Sequence, residues 1–161
     1  MRVSTASEIL APVSAQLTVR RAVELREIHH ALEPIAAQRW VESADKEAHE
    51  RLRASFERVR ALVEAGAGPE LIRRAKDRFF AVLYRSTGSV VPDSLLSIEP
   101  SMRLVRRAAI SCPERPPRML AELEAILAAA TARDEAALTA ACTLHLDNEF
   151  STGLRALVRA S

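Results

Sequence analysis

From Leu71 to Gly88 the chain reads LIRRAKDRFFAVLYRSTG, and Ile72, Ala75, Phe79, Val82 and Leu83 recur in it at three- and four-residue spacing. That period lays one broad apolar face along a helix, and such a face has to be covered by a core. Asp77, Ala81 and Tyr84 share a different face, because residues three and four apart stack above one another, so any chemistry on this helix starts from Asp77. Gly88 is expected to end the helix.

The same period organises the rest of the chain. Residues 1–18 read as a short N-terminal arm, with Pro12 interrupting a first helical pattern and Ser4, Thr5 and Ser7 as cap or turn residues. From Val19 to Val41 an amphipathic helix places Leu25, His29, Leu32, Ala36 and Trp40 on one face, with Pro34 expected to kink it. Ser43 is the expected N-cap of a second helix, which runs to about Ala65 with Leu52, Phe56, Val59 and Val63 inward. Ala65-Gly66-Ala67-Gly68-Pro69 stops it.

Beyond the Asp77 helix, Ser86 to Ser89 predict a turn, and a helix bent by Pro100 is expected from about Pro92 to Ile110, with Arg103, Arg106 and Arg107 giving its end a basic side. Cys112 to Pro117 is a proline-rich connector. Met119, Leu120, Leu123, Ile126, Leu127 and Ala130 mark the next inward-facing helix. Asp134 caps the last one, which carries Leu138, Ala141, Cys142 and His145 on a stripe continued by Asn148, Glu149 and Thr152. The sum is an all-α antiparallel bundle of about six to seven helices, with residues 19–161 as one domain.

Composition supports this reading and removes several function classes. The 161 residues are 48% hydrophobic with only four glycines, and the apolar content is mostly Ala and Leu. Lys plus Arg number 23 against 21 Asp plus Glu, so a net charge of +2 makes no electrostatic case for nucleic acid or an anionic membrane. Cys112 and Cys142 have neither metal-ligand spacing nor a disulfide framework, and no apolar run reaches about 18 residues. A cytoplasmic protein without a membrane partner is expected. No Gly-rich phosphate cradle, paired cysteine ligands or Ser-His-Asp set is present, so the chain is not expected to be an enzyme.

Three polar residues fall where the period predicts faces near the interior. His29 lies among Leu25, Leu32 and Ala36, either as a core histidine bonded to a neighbour or as a ligand contact. His145 lies among Leu138, Ala141 and Cys142, and the polar turn that follows it implies a cavity. Asp77, nearly opposite its helix's main apolar stripe, reads by itself as a solvated surface carboxylate rather than a site residue.

Four segments, taken in order, resemble a known family. Glu27-Ile28-His29-His30-Ala31-Leu32-Glu33-Pro34, followed by Ala36-Ala37, resembles the Glu-x-Arg-x-x-Leu-Glu-Pro opening of the FCD domain. That domain is the C-terminal ligand-binding domain of GntR-type transcriptional regulators of the FadR subfamily. Asp77-x-x-Phe80 with Leu83 or Tyr84, then Ser86-Thr87-Gly88-Ser89, is similar to its Asp-x-x-Phe-His-x-x-Leu segment and Ser-Gly-Asn turn. Glu122-Leu123-x-x-Ile126-Leu127 is similar to its Glu-His-x-x-Ile-Leu segment, and Asp134 with His145-Leu146 to its closing cap and His-Leu pair. The resemblance covers residues 20 to about 158.

The resemblance implies a divalent metal held by one Asp and three His. Here the Asp is Asp77 and the last His is His145, but the other two positions are Ala81 and Leu123, which donate no electron pair. Two ligands are too few for a well-held ion, so no metal cofactor is expected at this degenerate site. The family's effector-binding Arg falls at His29, which lacks a bidentate fork and permanent charge, implying a less acidic effector or none. The implied pocket is lined by His29, Asp77 and His145 with Ala81 and Leu123 as apolar walls, and by Tyr84, Arg106 and Asn148.

The expected function is thus an effector-binding and dimerisation domain that senses a small organic molecule, an organic acid or a more apolar metabolite, and forms a homodimer. DNA is expected as a partner only through an N-terminal winged helix-turn-helix domain, for which residues 1–18 leave no room. A structural helical dimerisation or interaction module with a vestigial pocket is the alternative. A metal-dependent hydrolase would require a bound ion.

Overall fold

The computed structural model describes the backbone of residues 6–86 and 100–160, and side chains over 19–86 and 102–160. Among the described residues there are six helices and no strand: α1 (Ala6–Ser43), α2 (Lys46–Glu64), α3 (Pro69–Arg85), α4 (Pro100–Ile110), α5 (Arg115–Ala132) and α6 (Glu135–Ala160). The chain forms an all-α bundle. Four residues join α2 to α3 and two join α5 to α6, and each pair packs together, as short links require of antiparallel neighbours.

Local chemistry sets most boundaries. The Asp45 carboxylate accepts the Ala48 N–H at 2.7 Å and starts α2, so Asp45 rather than Ser43 is the N-cap. Ser43 ends α1, its hydroxyl donating to the Arg39 carbonyl at 2.6 Å. Gly66, at φ +63°, turns the chain after α2, and Pro69 opens α3 where a missing N–H is no loss. Pro116 and Pro117 use the same licence at the start of α5, so the helix begins inside the expected connector. Arg133, at φ 54°, closes α5, and Asp134 accepts the Ala137 N–H at 2.9 Å to cap α6 as expected.

One expectation about prolines needs correction, that Pro12 interrupts the first helical pattern and leaves residues 1–18 as an arm. Helix α1 starts at Ala6 rather than Val19 and passes through both Pro12 and Pro34. Each proline removes one ladder bond, and neither ends so long a helix. The helix expected from about Pro92 is described only from Pro100, and Gly88 and most of the Ser86–Ser89 turn lie outside the described residues. Helix α3 itself is capped by Ser86.

Two clusters fill the bundle. The larger joins Trp40, Leu52, Phe56, Phe79, Met119, Leu123 and Leu138 with their neighbours, and the Trp40 indole N–H donates to the Ala130 carbonyl at 3.1 Å. The smaller joins Ala22, Met102, Val105, Leu146 and Phe150 between α1, α4 and α6. Tyr84 from the larger cluster and Leu146 from the smaller meet at a polar cavity.

Candidate functional site

Four helices deliver polar side chains to that cavity. Helix α1 supplies His29 and Glu33, one turn apart, and α6 supplies His145 and Glu149 at the same spacing. Helix α3 supplies Lys76, Asp77, Phe80 and Tyr84, and α4 supplies Arg106. The open volume is about 30 Å³, room for one water-sized occupant.

An ion-paired centre occupies the floor. The Lys76 ammonium, its side chain only 2% exposed, pairs with Glu149 Oε1 and lies 3.9 Å from Asp77 Oδ1. Arg106 Nε lies 3.4 Å from the other Glu149 oxygen. Burial resists ionisation of Glu149, yet the Lys76 and Arg106 charges outweigh it and hold the carboxyl at about 2. Asp77 is half-buried and also paired to Arg73, so it is not a solvated surface carboxylate.

His145 is held in a defined tautomer. Its Nδ1 lies 2.7 Å from Glu122 Oε2, while Arg115 forms a two-pronged contact with both Glu122 oxygens, each at 2.7 Å. Asn148 Nδ2 donates to Glu122 Oε1 at 2.8 Å. Burial opposes charge on Glu122, but the His145 and Arg115 hydrogen bonds hold it at about 2, so it only accepts. Nδ1 therefore carries a proton, and because burial pulls the His145 pKa down, the ring is neutral with a lone pair on Nε2. Nε2 and Arg106 Nε are both buried without a hydrogen-bond partner among the described residues. Both residues line the cavity.

The opposite wall titrates. Burial raises the Glu33 carboxyl from 4.5 to about 7, against hydrogen bonds from Thr143 and Tyr84. Burial, followed by the Arg106 charge, lowers His29 from 6.5 to about 4. Folded Glu33 keeps its proton to higher pH than the unfolded chain does, so this group costs stability as pH rises from about 4.5 to 7. His29 has the reverse sign, costing stability as pH falls from about 6.5 to 4. Glu33→Gln, a mimic of the protonated acid, is expected to match wild type near pH 4 and to gain about 2 kcal/mol near pH 8. Thermal melts across pH check this, and an unchanged difference between the two proteins at both ends would contradict it.

The expected residues separate cleanly. His29, Asp77, Tyr84, Arg106 and His145 converge on the cavity. Arg106 thus leaves the basic side shared by the exposed Arg103 and Arg107. Asn148 sits behind His145 through Glu122. Leu123 belongs to the main core and Ala81 is half-buried, and neither lines the cavity.

Glu33, Lys76 and Glu149 also line the cavity and are not among the expected site residues, although their spacing marks them. Lys76 falls on the Ile72, Phe79, Leu83 stripe, and Glu33 and Glu149 follow His29 and His145 by four. Among the described residues, no group of three or more His, Cys, Asp or Glu side chains converges to hold a metal ion. None of the described helices is long and apolar enough to cross a membrane. In comparisons with known proteins, the model of the FCD domain family matches residues 24–148, and no curated protein matches the chain.

Proposed function

We propose, because the chain belongs to the FCD domain family, that its cavity between α1, α3, α4 and α6 takes up a small organic effector and that the domain works as a homodimer. FCD domains are the effector-binding domains of GntR-type transcription regulators. The observation that carries the reading is that two residues lining one cavity, Arg106 and His145, each keep a buried nitrogen without a hydrogen-bond partner among the described residues. Arg106 Nε–H calls for an acceptor and His145 Nε2 for a donor. A molecule carrying a carboxylate or carbonyl beside a hydroxyl, amine or amide meets both demands.

A volume of about 30 Å³ admits no such molecule without movement. Uptake then has to separate helices that carry the Lys76–Glu149–Arg106 centre, which ties occupancy to the bundle's arrangement. Coupling of about 1–3 kcal/mol between the two arrangements is enough for regulation. His29, Asp77 and Tyr84 complete the contact set in this reading, and Asn148 orients His145 through Glu122. Contact with DNA, in a cytoplasmic regulator, requires an N-terminal winged-helix domain joined to this one.

A thermal-shift screen of small carboxylic acids and apolar metabolites, with and without chelator, tests the reading. At least one compound is expected to raise the melting temperature, and Arg106→Gln to abolish that rise. A response untouched by Arg106→Gln would place the ligand elsewhere. The small, internally paired cavity also favours a second reading, a structural module with a vestigial pocket. His145→Leu separates the two: gained stability with full function marks a vestige, whereas a lost response marks a sensor.

A further inference from the structure

The cavity departs from the metal site that the family resemblance implies at one residue above all. Asp77 and His145 line the cavity where two ligands are expected, the other two ligand positions fall at Ala81 and Leu123, which do not line it, and the lining includes a lysine, Lys76, next to Asp77. Lys76 Nζ faces Glu149 at hydrogen-bonding range and Asp77 at 3.9 Å, and almost none of its side chain reaches solvent. The donor set does not fit a resident ion, because a divalent cation would have to share a water-sized space with an ammonium and with the Arg106 guanidinium.

We propose that the Lys76 ammonium is a tethered cation that substitutes for a bound metal ion, balancing Glu149 and Asp77 and making the domain indifferent to divalent metals. A tethered charge has no dissociation constant. The carboxylates stay neutralised whatever the metal supply, and effector binding is freed from metal availability. An ammonium also offers three hydrogen-bond donors where a metal offers empty orbitals, so it recruits acceptor atoms without polarising them as a Lewis acid does. The His145 lone pair, still aimed and held by Glu122 as a metal ligand's would be, is consistent with such a substitution.

The test uses Mn²⁺, Ni²⁺, Zn²⁺ and EDTA, with no effector, so its failure leaves the effector reading standing. Wild-type protein is expected to carry no stoichiometric ion by metal analysis and to keep its melting temperature within about 1 °C in all four additions. Lys76→Ala should melt lower and recover part of that loss with at least one of the three ions, and Lys76→Ala combined with Glu149→Gln should not recover. A stoichiometric ion in wild type, a metal-dependent wild-type melt, or a folded Lys76→Ala protein that no ion stabilises would overturn the proposal. Should Lys76→Ala fail to fold, Lys76→Met keeps the stem and removes the charge. Adding Glu149→Gln to it is then expected to restore stability, and a double variant no better than the single one overturns the proposal.

Discussion

Glu149→Ala is expected to destabilise the domain by about 3–5 kcal/mol, as removing one partner of a buried ion pair does. Glu149 is 4% exposed and is the carboxylate shared by Lys76 and Arg106, so its loss leaves two cations facing each other in a space with no bulk water. Lys76 has one escape, to give up its proton. Burial already pushes its pKa below 10.5, and removing Glu149 pushes it further. Between that lowered pKa and about pH 10 the unfolded chain binds more protons than the folded one, so the variant should regain stability as pH rises through that window. Urea denaturation of Glu149→Ala at pH 7 and pH 9 checks both parts, and a loss under about 1 kcal/mol would mean that the pair contributes little.

Gly153→Ala is expected to cost about 3 kcal/mol, at the upper end of overpacking effects. A methyl group at this position would lie 2.2 Å from the Val105 carbonyl oxygen and 2.7 Å from its Cγ1, and backbone cannot swing aside as a side-chain end can. Helix α4 must back away from α6. Arg106 is the next residue on α4 and would be drawn off Glu149, so the same substitution should blunt any effector response while leaving helical content unchanged. Circular dichroism with melting curves distinguishes this from general unfolding. A Gly153→Ala protein as stable as wild type would show that the α4–α6 contact yields freely.

The apolar period made most of the fold readable. Leu52, Phe56 and Val59, Ile72, Phe79 and Leu83, and Met119, Leu123 and Ile126 are buried where the three- and four-residue spacing puts them. Five of the eight expected site residues line one cavity, because position on a helix face is a local property that spacing reports. The failures are of two kinds. Pro12 interrupts the local pattern although a long helix can absorb one lost bond, and Ser43 is of a capping residue type just as Asp45 is, so residue type alone does not mark the cap. The resemblance implies a pocket wall at Leu123, but its side chain belongs to the main core.

What the order of residues determined alone is the set of helices and the face each one buries, since period, caps and turns act over a few neighbouring positions. Membership of the FCD family was legible there too, from four short segments in sequence. Only the tertiary structure decided that Lys76, 73 positions before Glu149, meets it. It likewise decided that Arg106 joins them from α4, and that Glu122 sets the tautomer of His145 from α5. A buried charge is tolerated only where another helix brings its counter-charge, and no local pattern records which helix that is.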